Sequence, residues 1–236
     1  MSKNKTIIFC AEDKLTFLAG EAPKPSSNLI PDWYKRLPLY LEGENKIKLY
    51  DGQPNTALKV CTPFLDALTT GYTYILSNDV LVSWESGRPN FSWRGSRKMI
   101  TDHPLEQTKG LPTPLGHYDQ VFKWHNDFVI ETPLDYSLWC THPSNRFDLP
   151  FTTITGFVDT DNFNMGIHFP FFIKDGWSGI IEAGTPLAQL IPIKRDSWVS
   201  KKSYLEEDEV TKRNQVYRKN IIRSYKKLFW NKKTYN

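Results

Sequence analysis

A chain of 236 residues, 39% hydrophobic and 14% aromatic, is long enough for one large domain or two small ones and too apolar to stay disordered. Its formal net charge of +4 is uneven: residues 201–236 carry eleven Lys/Arg against four Asp/Glu, whereas the other 200 carry nineteen against twenty-two. No apolar run approaches the ~18 residues of a membrane span; three cysteines without a CxxC pair fit neither a disulfide framework nor a zinc site, so a cytoplasmic chain with no membrane partner is expected.

The elements follow in chain order. "KTIIFCA" reads as a strand, and its apolar part, Ile7 to Cys10, is too short for a secretory leader. "EAPKPSSNLIPDWYKRLPLY" has prolines at 23, 25, 31 and 38, which bar long helices and central strands. Within it, "IPDWYKRLP" predicts one short helix running from Pro31 and stopped by Pro38. "TPFLDALTTG" predicts a helix with Thr62 as N-cap, Pro63 at the first position and Gly71 at the exit, with Phe64, Leu65 and Leu68 inward. "YTYILS", "DVLVSWES" and "NFSWRGS" are strand-like, separated by "ND" and "GRPN" turns. From 121 to 193 short apolar or alternating runs recur between Pro, Gly, Asn and Asp. That rhythm predicts a mainly β fold, a sandwich or barrel with short N-terminal helices and one C-terminal α-helix.

Residues 1–200 are expected to form a single mostly β domain, with its core at about 121–193, and residues 201–236 a basic helix packed on it. Ser203 and Glu206 read as a capping box, and Val210, Tyr217, Ile221, Tyr225 and Leu228 as the packing stripe. The other face offers Lys212, Arg213, Arg218, Lys219, Arg223, Lys226 and Lys227 to nucleic acid or an acidic partner. A solvated charged face is the simpler reading, since positive charge along a helix is common. Trp33, Trp84, Trp93, Trp177 and Trp198 all flank turn signals and read as exposed-loop aromatics.

Chemistry has few carriers. His117, Asp119 and His168 form a loose two-His, one-carboxylate set of the Fe(II) oxygenase type. Cys61 and Cys140 have no patterned His and read as small buried hydrophobes. "GFVDTDNF" places Asp159 and Asp161 two residues apart, so both point to one side of an extended segment. They are either turn residues satisfying backbone amides or a carboxylate pair that handles water.

Residues 133–193 resemble the central part of the trimeric dUTPase and dCTP deaminase superfamily, the β-clip fold. "PLDYSLWCTHPSNRFDLPF" is similar to the strand and serine-containing phosphate motif, "GFVDTDNF" to the Asp–x–Asp hairpin, and "IIEAGTPLAQLIPI" to the Gln-bearing strand. The resemblance implies Asp159 as the carboxylate activating water and Asp161 as its companion, with Mg²⁺ offsetting phosphate charge. It implies ligand contacts at Ser144, Arg146, Asn162, Phe163 and Gln189, no protein-held metal, and a homo-oligomer, a trimer in the family. Departures fall on phosphate contacts: Pro143 stands where the family has arginine, Asn162 where it has the stacking tyrosine, and the Gly-rich C-terminal arm is replaced by a basic helix. The whole chain also resembles a family of phage and bacterial proteins that carries no assigned activity, which would put a phage-encoded chain in the host cytoplasm. Three functions stay open: a non-enzymatic binding or assembly protein with a protein partner, a divergent nucleotide pyrophosphohydrolase using Asp159, and the iron oxygenase. The stripped phosphate contacts favour the first.

Overall fold

The computed structural model describes residues 5–41, 56–219 and 224–236. β1 (Ile8–Ala11) leads into α1 (Lys14–Ala19), a helix absent from the sequence reading. Asp13 caps it, accepting from the Thr16 backbone N–H and hydroxyl at 2.8 and 2.6 Å. β2 (Lys24–Pro25) is an edge strand, where the missing Pro25 N–H is harmless. α2 (Asp32–Arg36) lies between Pro31 and Pro38 as expected, and α3 (Thr62–Thr69) takes Cys61 rather than Thr62 as its cap residue.

β3 (Tyr72–Ile75), β4 (Val80–Glu85) and β5 (Arg88–Trp93) follow. The β4–β5 turn is Ser86–Gly87, at φ 51° and 76°, the two positive values of a type I′ hairpin. Arg88, Pro89 and Asn90, expected in the turn, therefore belong to the strand. β6 (Ile100–Asp102), α4 (Leu105–Thr108), β7 (Phe122–Trp124), β8 (Phe128–Glu131) and β9 (Tyr136–Thr141) come next. β10 (Phe151–Thr153), β11 (Gly156–Val158), β12 (Phe169–Ile173), β13 (Gly179–Ile181) and β14 (Pro186–Lys194) complete the strands. α5 (Glu207–Lys219) and α6 (Ser224–Leu228) end the chain.

The protein is mainly β. Its sheets are all antiparallel, ordered β11-β9-β14-β3-β2, β10-β12-β7-β6, β13-β4-β5 and β1-β8. Alternation along the strands turns one face of each inward, as in Phe128 and Ile130 of β8 or Leu138 and Cys140 of β9. These residues join an aromatic centre in which Trp124, fully buried, stacks on Phe171 with ring centroids 4.2 Å apart and meets Phe151 edge-on at 5.3 Å.

Two compact units divide the chain. The first comprises 1–26 and 71–195 and contains all the strands among the described residues; the second comprises 27–70 and 196–236. Residues 27–70 thus group with the tail, where a 1–200 body was expected. Within the second unit Tyr34 stacks on Phe64 at 5.8 Å, and Trp33 meets both rings edge-on. Asp66 of α3 accepts from Trp230 Nε1 at 2.9 and 3.1 Å and from Lys233 Nζ at 2.7 Å.

The tail departs from expectation. α5 begins at Glu207, so Ser203 is outside it and no capping box forms. Val210 and Leu228 are 40% and 43% exposed, so they do not pack the helix down; Trp230, half-buried on Asp66, is the tail's anchor. Ile221 and Arg223 lie outside the described residues, as do the side chains of Tyr217, Arg218 and Lys219. Of the five turn-flanking tryptophans only Trp198 is exposed. Trp33, Trp84, Trp93 and Trp177 are half-buried, and the Trp84 indole donates to the Trp177 carbonyl at 2.8 Å. Among the described residues no helix is long and apolar enough to cross a membrane.

Candidate functional site

Asp159 and Asp161 sit in the loop after β11. Because β11 pairs with β9 whereas β12 pairs with β10 and β7, this loop carries the chain from one sheet to another and is not the tip of a hairpin. The Asp159 carbonyl accepts the backbone N–H groups of Asn162 and Phe163 at 3.0 and 2.9 Å, which coils the loop back on itself. Thr160 is tied down by Thr132, hydroxyl to hydroxyl at 2.7 Å.

Both carboxylates converge on Arg195, just past the end of β14. The β9–β14 register sets Lys194 opposite Tyr136, so Arg195 follows opposite Asp135 and donates its backbone N–H to the Asp135 carbonyl at 2.8 Å. Its guanidinium grips Asp161 with both terminal nitrogens, Nη1 to Oδ1 at 2.9 Å and Nη2 to Oδ2. Asp161 Oδ2 also accepts the backbone N–H of Asp135, a residue held at φ 69°. The Asp161 side chain is 1% exposed, covered locally by this guanidinium. Asp159 is 65% exposed; its Oδ1 accepts from the Ser137 hydroxyl at 2.6 Å and lies 3.3 Å from Arg195 Nη1.

The hydrogen bonds from Arg195 hold the Asp161 carboxyl below its ordinary value of 3.8, and Asp161 in turn raises Arg195. A carboxylate with a lowered folded pKa stabilises fully above the unfolded value and loses that contribution as pH falls through the folded one. Arg195→Gln removes the charge and raises the folded pKa of Asp161. With little difference left between the folded and unfolded pKa of Asp161, the variant should be less stable than the wild type near neutral pH and should lose less stability as pH falls through the carboxylate range of about 4. Urea midpoints measured across acid pH for both proteins test this; superimposable profiles would refute the clamp.

The second cluster of predicted ligand residues lies elsewhere. Gln189, 2% exposed on β14, accepts the Ser144 backbone N–H through Oε1 at 2.9 Å. Arg146 is bound bidentately to Asp148, at 2.8 to 3.2 Å. His142 braces this loop. Its Nδ1 accepts the Thr153 N–H at 3.2 Å, so the proton sits on Nε2, which donates to the Arg146 carbonyl at 3.1 Å. Burial lowers the His142 pKa and favours that neutral form. Gln189 is opposite Thr141, whereas Asp159 reaches Ser137, four residues back along β9. The two clusters are thus roughly 13 Å apart along the strand, at about 3.3 Å per residue. Asn162, exposed, donates to Asp161 Oδ1 at 3.3 Å, and Phe163 is partly exposed beside it.

The iron set does not assemble. His117 bonds the Thr152 hydroxyl at 3.0 Å, Asp119 accepts from Thr113 at 2.6 Å, and His168 packs against His125 at 4.3 Å. Among the described residues no three His, Cys, Asp or Glu converge as metal ligands. Arg195 and Ser137 are the residues that the sequence reading missed, and only the β9–β14 register could have found them.

No protein-family model matches the chain, and no curated protein matches it by sequence. Among solved structures it is similar to a point mutant of the dUTPase from phage phi11 of S. aureus, described for its coordination of a structural Mg(II) ion. The alignment covers 47% of this chain and 99% of that one, at 14% identity and a TM-score of 0.28, a likeness too slight to argue from.

Proposed function

We propose that the protein is a non-enzymatic binding or assembly protein that uses a β-clip platform of the dUTPase type and works as a homo-oligomer. The Arg195 clamp carries this reading. A general base needs a carboxylate free to take a proton from water. Asp161 faces a guanidinium through both oxygens, and Asp159 Oδ1 already accepts from Ser137. Groups that would grip phosphates are engaged internally, Arg146 by Asp148 and the Gln189 carbonyl by Ser144. The separation of the two clusters along β9 supports an oligomer, since a pocket using both would draw one from each of two copies.

A divergent nucleotide hydrolase is the second reading, favoured by one observation. Asp159 Oδ2 has no partner among the described residues on a side chain that is 65% exposed. It is a hard oxygen donor suited to Mg²⁺, which would offset phosphate charge when bound with a nucleotide.

One sample decides between them. Pyrophosphate and phosphate release from the common dNTPs and NTPs with Mg²⁺ should stay at background, with no thermal shift, and Asp159→Asn should change neither. Light scattering on the same sample should give a multiple of the chain mass. Release that disappears in Asp159→Asn, with the fold retained, would establish the hydrolase. A monodisperse monomer would remove the oligomer.

A further inference from the structure

β5 and β6 are both open sheet edges, joined by the loop "RGSRKM" at 94–99. A groove follows the outer side of β5 in two chambers of about 490 and 320 Å³, which share Phe91 and Trp93 as their apolar floor. The larger chamber, lined by Phe91, Ser92, Trp93, Gly95, Ser96, Arg97 and Lys98, has no Asp or Glu, whereas Glu85 and Asp102 line the smaller one, Asp102 paired with Arg88.

The cations divide by role. Arg97 turns inward, its Nε 2.8 Å from Asp127 and its Nη2 donating to the Thr16 hydroxyl at 2.6 Å, and so fixes the loop. The Arg97 carbonyl accepts the Trp93 indole N–H at 2.7 Å, which sets the plane of that ring. Arg94 and Lys98 are exposed and have no acidic partner among the described residues. Gly95, at φ +92°, has open space where a side chain would stand, so its backbone is approachable.

From these features we propose that the groove binds a single-stranded nucleic acid, its phosphates on Lys98 in the lining and Arg94 in the same loop, and a base against the half-buried Trp93 ring. Fixed aromatic faces beside unpaired cations are what a strand with negative backbone and flat bases requires. An added peptide strand fits less well. Pro89 removes one edge donor, and the Arg88–Asp102 ion pair, at 2.6 Å, ties β5 to β6 at the far end of the groove. The hydroxyls of Ser92 and Ser96 line the larger chamber as neutral hydrogen-bonding groups for base edges, while that of Thr101 is engaged by His125 Nε2 at 2.8 Å. The groove shares no residue with the Asp159 cluster, so it stands under either reading of that pair.

Anisotropy of a fluorescein-labelled oligothymidylate twelve nucleotides long tests this on the full chain. Binding at low salt should weaken as salt rises, with a log–log slope of about −1.4 for two phosphates at ~0.7 each. Arg94→Ala with Lys98→Ala should weaken binding about tenfold and flatten that slope, while Lys212→Ala with Arg213→Ala leaves both unchanged. Trp93→Phe keeps a stacking ring and should abolish the binding-linked quench of tryptophan emission. No binding at low salt, loss of binding only in the helix variant, or a quench that survives Trp93→Phe would each overturn the proposal. So would equal competition by poly-glutamate, which would point to an acidic protein partner.

Discussion

Trp124→Ala should destabilise the first unit by about 3–5 kcal/mol, the range for emptying a buried large aromatic. The ring is fully buried, stacks on Phe171 at 4.2 Å and borders Phe151 at 5.3 Å, so three β strands meet on it. Tight aromatic packing limits how far the walls can collapse into the space. The indole N–H finds no acceptor among the described residues, a desolvation penalty of about 1–3 kcal/mol that the ring's packing outweighs. Trp124→Phe removes that N–H while keeping most of the ring, and should lose clearly less than the alanine variant. Urea unfolding followed by far-UV circular dichroism checks both, and equal losses would show that the N–H is not a cost in the native protein.

Gly71→Ala should cost about 2–5 kcal/mol although it adds one methyl group, from ~1–2 for left-handed backbone and ~1–3 for overpacking. Gly71 sits between α3 and β3 at φ +74°, and a Cβ there would stand 2.3 Å from the Leu190 carbonyl oxygen and 3.0 Å from Ile191 Cγ1. The oxygen belongs to the backbone of β14 next to β3, so relief requires one strand to move. Gly71→Asn separates the causes, because asparagine tolerates this φ but carries the same Cβ. The asparagine variant should therefore remain destabilised. Recovery of wild-type stability in Gly71→Asn would mean that φ, not contact, excludes side chains.

Legibility from sequence followed locality. Period-2 alternation marked the strands between 121 and 193, and prolines marked both ends of α2. α1 escaped because it is six residues long and its Leu15, Phe17 and Leu18 are exposed, which leaves no inward stripe to read. The α5 stripe shows the converse: helical spacing was visible, but spacing does not say whether a face is covered, and Val210 is not. The two aspartates, two residues apart, both reach Arg195. Their setting was not legible, since Arg195 is 34 residues from Asp161 and arrives through a strand register that no local pattern encodes. Nor does local sequence say that β11 and β12 part into different sheets.

The pairing of Asp66 with Trp230 bears on the order of synthesis. The two residues are 164 positions apart, and at ~5–20 residues per second a ribosome takes roughly 8–33 s between them. During that interval β3 to β14 emerge, whereas α3 waits for the indole that its carboxylate will hold. The nascent chain therefore carries α3 without its partner while those strands of the first unit are made. The contact joins a residue made early to one made late, so it cannot form before the tail has emerged.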